Sequence, residues 1–340
     1  MSIATCSSRI SRRPRPPSSS APAIVRRSAG RAHRGRAARG HGAESAETPR
    51  VGILEPAGPP GSTAEFRARL ADLGWTIQYE SRYAEGRPER LGDLAADLAR
   101  LNVDLILTLG THATKAAKGA TGAIPIVFVG VASPINARVV TSLARPGGNV
   151  TGATDQLADL ATKVLQLIAE IAPKRTRIGV LEDFTNPSES DRGRGQFDRL
   201  AQQHGLTIAR ADVRTPDDVD TAFRTLARDR VEALIVGTTP ALVFERERVA
   251  RLAAQNHLPT IGYGRAWVEA GLLMSYYPSF SDLLRQAADY ADRIFKGARP
   301  ADLPVVQPTR FELLFNLRTA KAIGLRIPPS LLARADQLIE

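Results

Sequence analysis

The sequence predicts an α/β protein made of two doubly wound, parallel-sheet lobes joined by a hinge. Three observations predict it. Short apolar runs alternate with helical stretches from residue 50 to the end. Several of those runs are continuously apolar, as a parallel sheet covered on both faces requires. The series of runs then occurs twice.

In chain order, Val51-Gly52-Ile53-Leu54 is a first strand, too short and too β-branched for a helix. A helix is expected near 62–73, then a strand at Thr76-Ile77-Gln78-Tyr79. A second helix is expected over 88–100. Leu105-Ile106-Leu107-Thr108-Leu109 is the third strand, followed by a helix over 111–119. Ile126-Val127-Phe128-Val129 is the fourth strand.

Four pairs of segments establish the repeat. Arg50-Val51-Gly52-Ile53-Leu54-Glu55 recurs as Arg177-Ile178-Gly179-Val180-Leu181-Glu182, and Gly74-Trp75-Thr76-Ile77 as Gly205-Leu206-Thr207-Ile208. Val103-Asp104-Leu105-Ile106 recurs as Val231-Glu232-Ala233-Leu234, and the run beginning Pro125 as Pro259-Thr260-Ile261-Gly262-Tyr263-Gly264. The offsets of 127, 131, 128 and 134 residues drift only by loop-sized amounts. Each lobe then reads as a Rossmann-like sheet, whose ligands bind outside the carboxyl ends of the strands. Two such edges facing one another make a cleft that a hinge would close.

The 340 residues are 43% hydrophobic and 24% charged, which suits a globular chain and is too apolar for a disordered one. The net charge of +11 invites a nucleic-acid reading. Its distribution removes that reading. Residues 1–50 hold 11 Arg and two Glu, so the remaining chain is close to neutral. Residues 1–48 are Arg, Ser, Pro, Ala and Gly, with too few apolar side chains for a core, and are expected to be a disordered tail. The tail has no apolar segment of secretory-signal length, so it reads as a defective or displaced signal region. Without aromatics or a recognition module it offers little to nucleic acid. Cys6 alone excludes an internal disulfide.

Three longer blocks carry a resemblance. The first is Ser142-Leu143-Ala144-Arg145-Pro146-Gly147-Gly148-Asn149-Val150-Thr151-Gly152. The second is Gly271-Leu272-Leu273-Met274-Ser275-Tyr276, with Lys296-Gly297-Ala298-Arg299-Pro300-Ala301-Asp302-Leu303-Pro304 after the next helix. The third runs from Phe311-Glu312-Leu313 through Asn316-Leu317-Arg318 to Ile327-Pro328-Pro329-Ser330. Over residues 50–340 the chain resembles the substrate-binding proteins of ABC transporters, in the group that includes tryptophan-binding members. The resemblance implies a type I periplasmic-binding fold, export, capture of a small molecule and its delivery to a permease with its ATPase. Relatives often carry Asp-Pro-Val after the fourth strand. Here Ser133-Pro134-Ile135 stands in its place, which removes one carboxylate partner for a ligand amine or hydroxyl.

Polar residues just past strand ends are the candidate ligand contacts. In the first lobe they are Glu55 and Ala57 after the first strand, Thr111 and His112 after the third, and Ser133 after the fourth. Thr111 is expected to cap the next helix, whose free amides would receive a carboxylate. Thr151 and Thr154, with Asn149, sit where the chain should cross between lobes, and Gly152 suits a hinge. In the second lobe the candidates are Asn186, Thr238 and Tyr263, with Tyr276 and Tyr277 as weaker ones. Trp75 and Trp267 read as packing residues, and Arg246, Arg248 and Arg251 as a solvated helix face.

No enzyme motif occurs: no G-x-S-x-G elbow, no G-x-x-x-x-G-K-S/T loop, no G-x-G-x-x-G and no H-E-x-x-H. The expected assembly is lobe 1 over 49–152 and about 278–307, and lobe 2 over 153–277 and about 308–340. Hinge crossings are expected near 150–155, 276–280 and 305–310. The expected function is an extracytoplasmic, periplasmic and monomeric solute-binding component of an importer, without cofactor, taking an amino acid or related small carboxylate. An intracellular small-molecule sensor of the same fold is the alternative.

Overall fold

The computed structural model of the chain describes residues 48–58, 62–184 and 191–340. All but the last residue of the expected tail, and Asn186 as well, lie outside the described residues. The described residues belong to one compact unit.

The first half runs β1 (Arg50–Glu55), α1 (Ala64–Asp72), β2 (Gln78–Tyr83), α2 (Leu91–Arg100), β3 (Leu105–Leu109), α3 (Gly110–Ala120), β4 (Ile126–Val129) and β5 (Val150–Ala153). The second half opens with α4 (Ala161–Ile171), β6 (Arg177–Glu182), α5 (Asp191–Gln203), β7 (Thr207–Asp212), α6 (Val219–Arg228) and β8 (Ala233–Val236). It continues through α7 (Pro240–Phe244), α8 (Arg246–Gln255), β9 (Thr260–Gly262), α9 (Arg265–Ala270) and β10 (Met274–Pro278). The chain ends with α10 (Phe280–Phe295), β11 (Phe311–Asn316), α11 (Leu317–Ala322), α12 (Pro329–Leu332) and β12 (Gln337–Ile339).

The strands form two sheets, β2-β1-β3-β4-β5 and β12-β11-β10-β9-β8-β6-β7. The first is parallel throughout. The second departs from parallel only where β10 meets β11. The order β2-β1-β3-β4-β5 returns as β7-β6-β8-β9-β10, so the repeat read in the sequence is a repeat of topology. The fold class is the predicted one.

Burial explains which strands were easy to read. β4, β5, β8 and β9 are buried at every residue, so each must be apolar or internally satisfied. β2 and β7 are edge strands and half-exposed along most of their length. The strand expected at 76–79 accordingly lies later, at Gln78–Tyr83. Its register is set by the backbone ladder from Arg50↔Gln78 to Glu55↔Tyr83, not by an apolar run. The helices bury one stripe each; α2 buries Leu91, Ala95 and Leu98.

Each sheet has a core on both faces. Leu54, Leu98, Ile106 and Phe128 fill one side of the first sheet. Val51, Ile53, Leu107 and Val127 fill the other, together with Leu283, Leu284, Ala287 and Ala291 of α10. Helix α10 thus follows a strand of the second sheet but packs on the first. The chain then returns: Val306 bridges Ala153 in parallel before β11 joins the second sheet. Three segments therefore pass between the sheets, after β5, after β10 and after Val306. Trp75 packs on Phe295 with ring centroids 5.0 Å apart, and Trp267 is buried in the second lobe, as packing residues. Among the described residues, no helix is long and apolar enough to cross a membrane.

Candidate functional site

The carboxyl ends of the strands of both sheets meet across one cleft. His112, in the first turn of α3, brings its Nε2 to 3.8 Å from an oxygen of Asp183, just past β6. Burial holds the His112 imidazole below its ordinary pKa; Asp183 pulls in the opposite direction, and Lys115 adds to the lowering. Farther out, Arg87 reaches Asp217 at 3.0 Å. These pairs join a residue of the first lobe to one of the second.

Glu55 ends β1 and is 2% exposed. Its carboxylate accepts a hydrogen bond from the Ser62 hydroxyl. Burial raises its pKa, against the lowering effects of Ser62 and Arg67. Ala57, two residues on, lines a cavity of about 620 Å³ with Gly58, Tyr83 and Glu85 on one side and Phe244, Glu245, Arg246, Glu247, Arg248 and Arg251 on the other. Arg246, Arg248 and Arg251, expected on a plain solvated face, are among its walls. Arg248 is held there by Asp220 at 2.5 Å and Glu245 at 3.5 Å.

Thr111 is buried, but it is not the helix cap. Helix α3 begins at Gly110, with Leu109 in the cap position and no side-chain cap bond. The reason is Gly110, whose φ of +76° lets the chain turn from strand to helix without a cap. His112 lies two residues past this amino end of α3. Ser133 follows β4 and is half-buried; its carbonyl accepts from the Ala137 amide at 2.9 Å. Thr238 is half-buried after β8. Its neighbour Thr239 takes the capping role, accepting from the Leu242 amide at 3.3 Å.

Two further candidates are bonded within the first lobe. Thr151 is fully enclosed in β5 and donates to the Leu303 carbonyl at 2.7 Å. Thr154 is 1% exposed and donates to the Val131 carbonyl at 2.7 Å. Both hydroxyls tie the first lobe's own segments together. Asn149 likewise donates to the Ile124 carbonyl at 2.7 Å. Gly152 also serves packing: a Cβ there would run into the backbone of Phe128 on β4.

Sequence reasoning passed over two buried carboxylates, Asp155 and Asp183. Asp155 is buried two residues past β5 and accepts from the Tyr277 hydroxyl at 2.5 Å. Tyr277 in turn lies edge-on to Tyr263, ring centroids 6.2 Å apart. Burial raises the Asp155 pKa, against the Tyr277 bond and the Leu157 amide, and burial pushes the Tyr277 phenol well up. Asp155 and Asp183 both follow strand ends, so the strand-end rule would have found them. Tyr276 turns away and stacks on Phe311 at 5.7 Å. Among the described residues, no group of three or more His, Cys, Asp or Glu is placed to hold a metal.

With this geometry, comparison with known proteins is specific. Residues 64–339 match the family described as ABC transporter substrate binding protein. A tyrosine-binding protein of Clostridioides difficile is 28% identical over 268 residues, 77% of this chain and 76% of that protein. A conserved domain protein of Vibrio cholerae is similar in structure at a TM-score of 0.78 and 26% identity, covering 86% of this chain and all of that one. The ABC domain of Streptococcus pneumonia in complex with L-Trp has the same TM-score at 25% identity, again over 86% of this chain and all of that one. The matched family is one of substrate-binding proteins, and two of these relatives are described by the amino acid that they bind.

Proposed function

The chain belongs to the ABC transporter substrate-binding protein family, and we propose that it captures an amino acid or related small carboxylate, aromatic by preference, between its two lobes. The observation that carries this reading is the approach of His112 to Asp183, 3.8 Å across the cleft. It brings two strand-end edges together, which is where an α/β sheet binds its ligands.

In this reading the ligand carboxylate lies at the amino end of α3, where backbone amides and the helix dipole favour an anion. His112 is the neutral donor beside it. Glu55 and Asp183 receive an ammonium group, which fills the role of the acid that Ser133 replaces. Tyr263 supplies an aromatic face whose angle is set by Tyr277. The lobes turn about the three crossing segments. The bound molecule shifts the balance toward the closed form by its higher affinity for that form. The closed form then delivers its cargo to a permease at the periplasmic face of the cytoplasmic membrane, the permease being driven by its ATPase and the protein acting as a periplasmic monomer. The tyrosine- and tryptophan-binding relatives support the aromatic preference.

Calorimetric titration of the full chain with L-tyrosine, L-tryptophan, L-leucine and a hexose tests it. The aromatic amino acids bind and the hexose does not. Tyr263→Ala weakens the aromatic probes about tenfold, roughly the 0.5–1.5 kcal/mol of one ring contact plus its buried area. Binding of the hexose alone would overturn the reading.

A further inference from the structure

We infer that the turn Ala84–Arg87 is a clasp that holds the two lobes closed, and that Gly86 is the positioning residue that lets it seat. The inference rests on the binding reading above and names a contact between the lobes at the outer edge of that cleft.

The turn is rigid on its own side. Ala84 donates its amide to the Glu55 carbonyl at 3.0 Å, and Gly86 to the Pro56 carbonyl at 2.9 Å. Glu85 and Gly86 both take left-handed backbone, at φ +56° and +75°. Glu85 is gripped by Arg90. The turn therefore presents a fixed backbone surface, tied to the end of β1.

That surface seats on the second lobe. A Cβ at Gly86 would lie 2.9 Å from Phe244 Cβ, 3.1 Å from Pro216 Cγ and 3.2 Å from Ala241 Cα. Only a residue without a side chain permits this approach. The receiving surface is just as fixed. Thr215 and Asp218 cap each other around Pro216, and Thr239 caps α7, which carries Ala241 and Phe244. Next to it, Arg87 reaches Asp217 at 3.0 Å, with the two side chains 41% and 76% exposed. An ion pair that open is worth little by itself. The apolar seat under Gly86 carries the contact, and the ion pair trims it.

The clasp also has leverage. β2 is the edge strand farthest from β5, where the chain first crosses between lobes. Four strand spacings put it roughly 19 Å from that crossing. Opening by about 20° would then lift the turn off its seat by about 7 Å, far beyond contact. A contact at that distance exists only when the lobes are closed, and so it stabilises the closed form selectively.

Two arms test this on the full chain. In a Cys6→Ser background that keeps Gly86, Arg87→Cys with Asp217→Cys should be bridged by a short bifunctional maleimide without any added amino acid, read by mass and gel mobility. Failure to cross-link overturns the clasp, whatever the protein binds. In the second arm, Gly86→Ala and Gly86→Asn are titrated with L-tyrosine and L-tryptophan. Asn tolerates left-handed backbone, so it separates strain within the turn from collision with the second lobe. Both variants should weaken binding at least tenfold by faster dissociation, while Gly86→Asn melts within about two degrees of the parent without ligand. Arg87→Ala should weaken it no more than about threefold. Parental affinity in both Gly86 variants overturns the clasp. If neither amino acid binds the parent, the ligand reading falls and the cross-link alone decides the clasp.

Discussion

At the scale of single residues, two buried titratable groups set how the protein responds to pH. His112 has its pKa held below the ordinary value by burial, with Asp183 pulling the other way. The unfolded chain therefore takes a proton at His112 more readily than the folded one. Stability from this residue is present above the unfolded value near 6.5 and is lost as pH falls through that value toward the folded one. His112→Gln should flatten the loss of stability between pH 7 and pH 5, seen as a smaller drop in urea midpoint; an unchanged slope would show that His112 is not the group responsible. Asp155 behaves in the opposite sense. Its folded pKa is raised, so its contribution is full below 3.8 and lost as pH rises through the raised value. Tyr277→Phe removes the 2.5 Å donor that steadies the charged carboxylate. The variant should lose about 1–3 kcal/mol at pH 7, as for any buried acceptor deprived of its partner. The deficit should narrow as pH falls through the raised Asp155 value, where the carboxyl takes up its proton. Urea unfolding across that range measures both.

At the scale of elements, the deciding distinction is between a polar residue past a strand end and one within it. The repeat of strand motifs exposed the sheet order, because buried parallel strands must be apolar. It also pointed to Glu55, His112, Ser133 and Tyr263, which stand at strand ends. Thr151 was legible as polar but not as enclosed. In β5 its hydroxyl is consumed by the Leu303 carbonyl, a partner 152 residues away that no local pattern announces. The edge strands were misplaced for a related reason: β2 is selected by its ladder with β1, which leaves no apolar signature. Asp155 was within reach of the strand-end rule, but its pairing with Tyr277 of β10, 122 residues on, was not. The same distinction gives a prediction. Thr151→Val keeps the shape of the side chain and removes the bond, leaving the Leu303 carbonyl unpaired. Stability should fall by about 1–3 kcal/mol, while affinity for L-tyrosine stays within about twofold. A selective loss of affinity would return Thr151 to the ligand site.

At the scale of the whole molecule, two lobes with separate cores share three crossing segments and a thin seam of polar and small-residue contacts. The second sheet buries Phe315 completely on β11, within a cluster that includes Leu165, Ile168 and Ile178. None of that cluster's buried residues lies in the first lobe's clusters. The lobes should therefore unfold as two coupled units rather than one. Phe315→Ala removes a buried ring and should cost about 3–5 kcal/mol. Scanning calorimetry without ligand should show one transition falling by several degrees while the other moves little. L-tyrosine bridges the lobes, so at 100 times its Kd it should add about 2.7 kcal/mol. Because it binds only where both lobes are folded, it should also draw the two transitions together. A single transition that Phe315→Ala lowers as a whole would show that the crossing segments and the Gly86 seat couple the lobes into one cooperative unit. The hinge would then have to work by bending those segments against a common core, and closure would carry a stability penalty that independent lobes avoid.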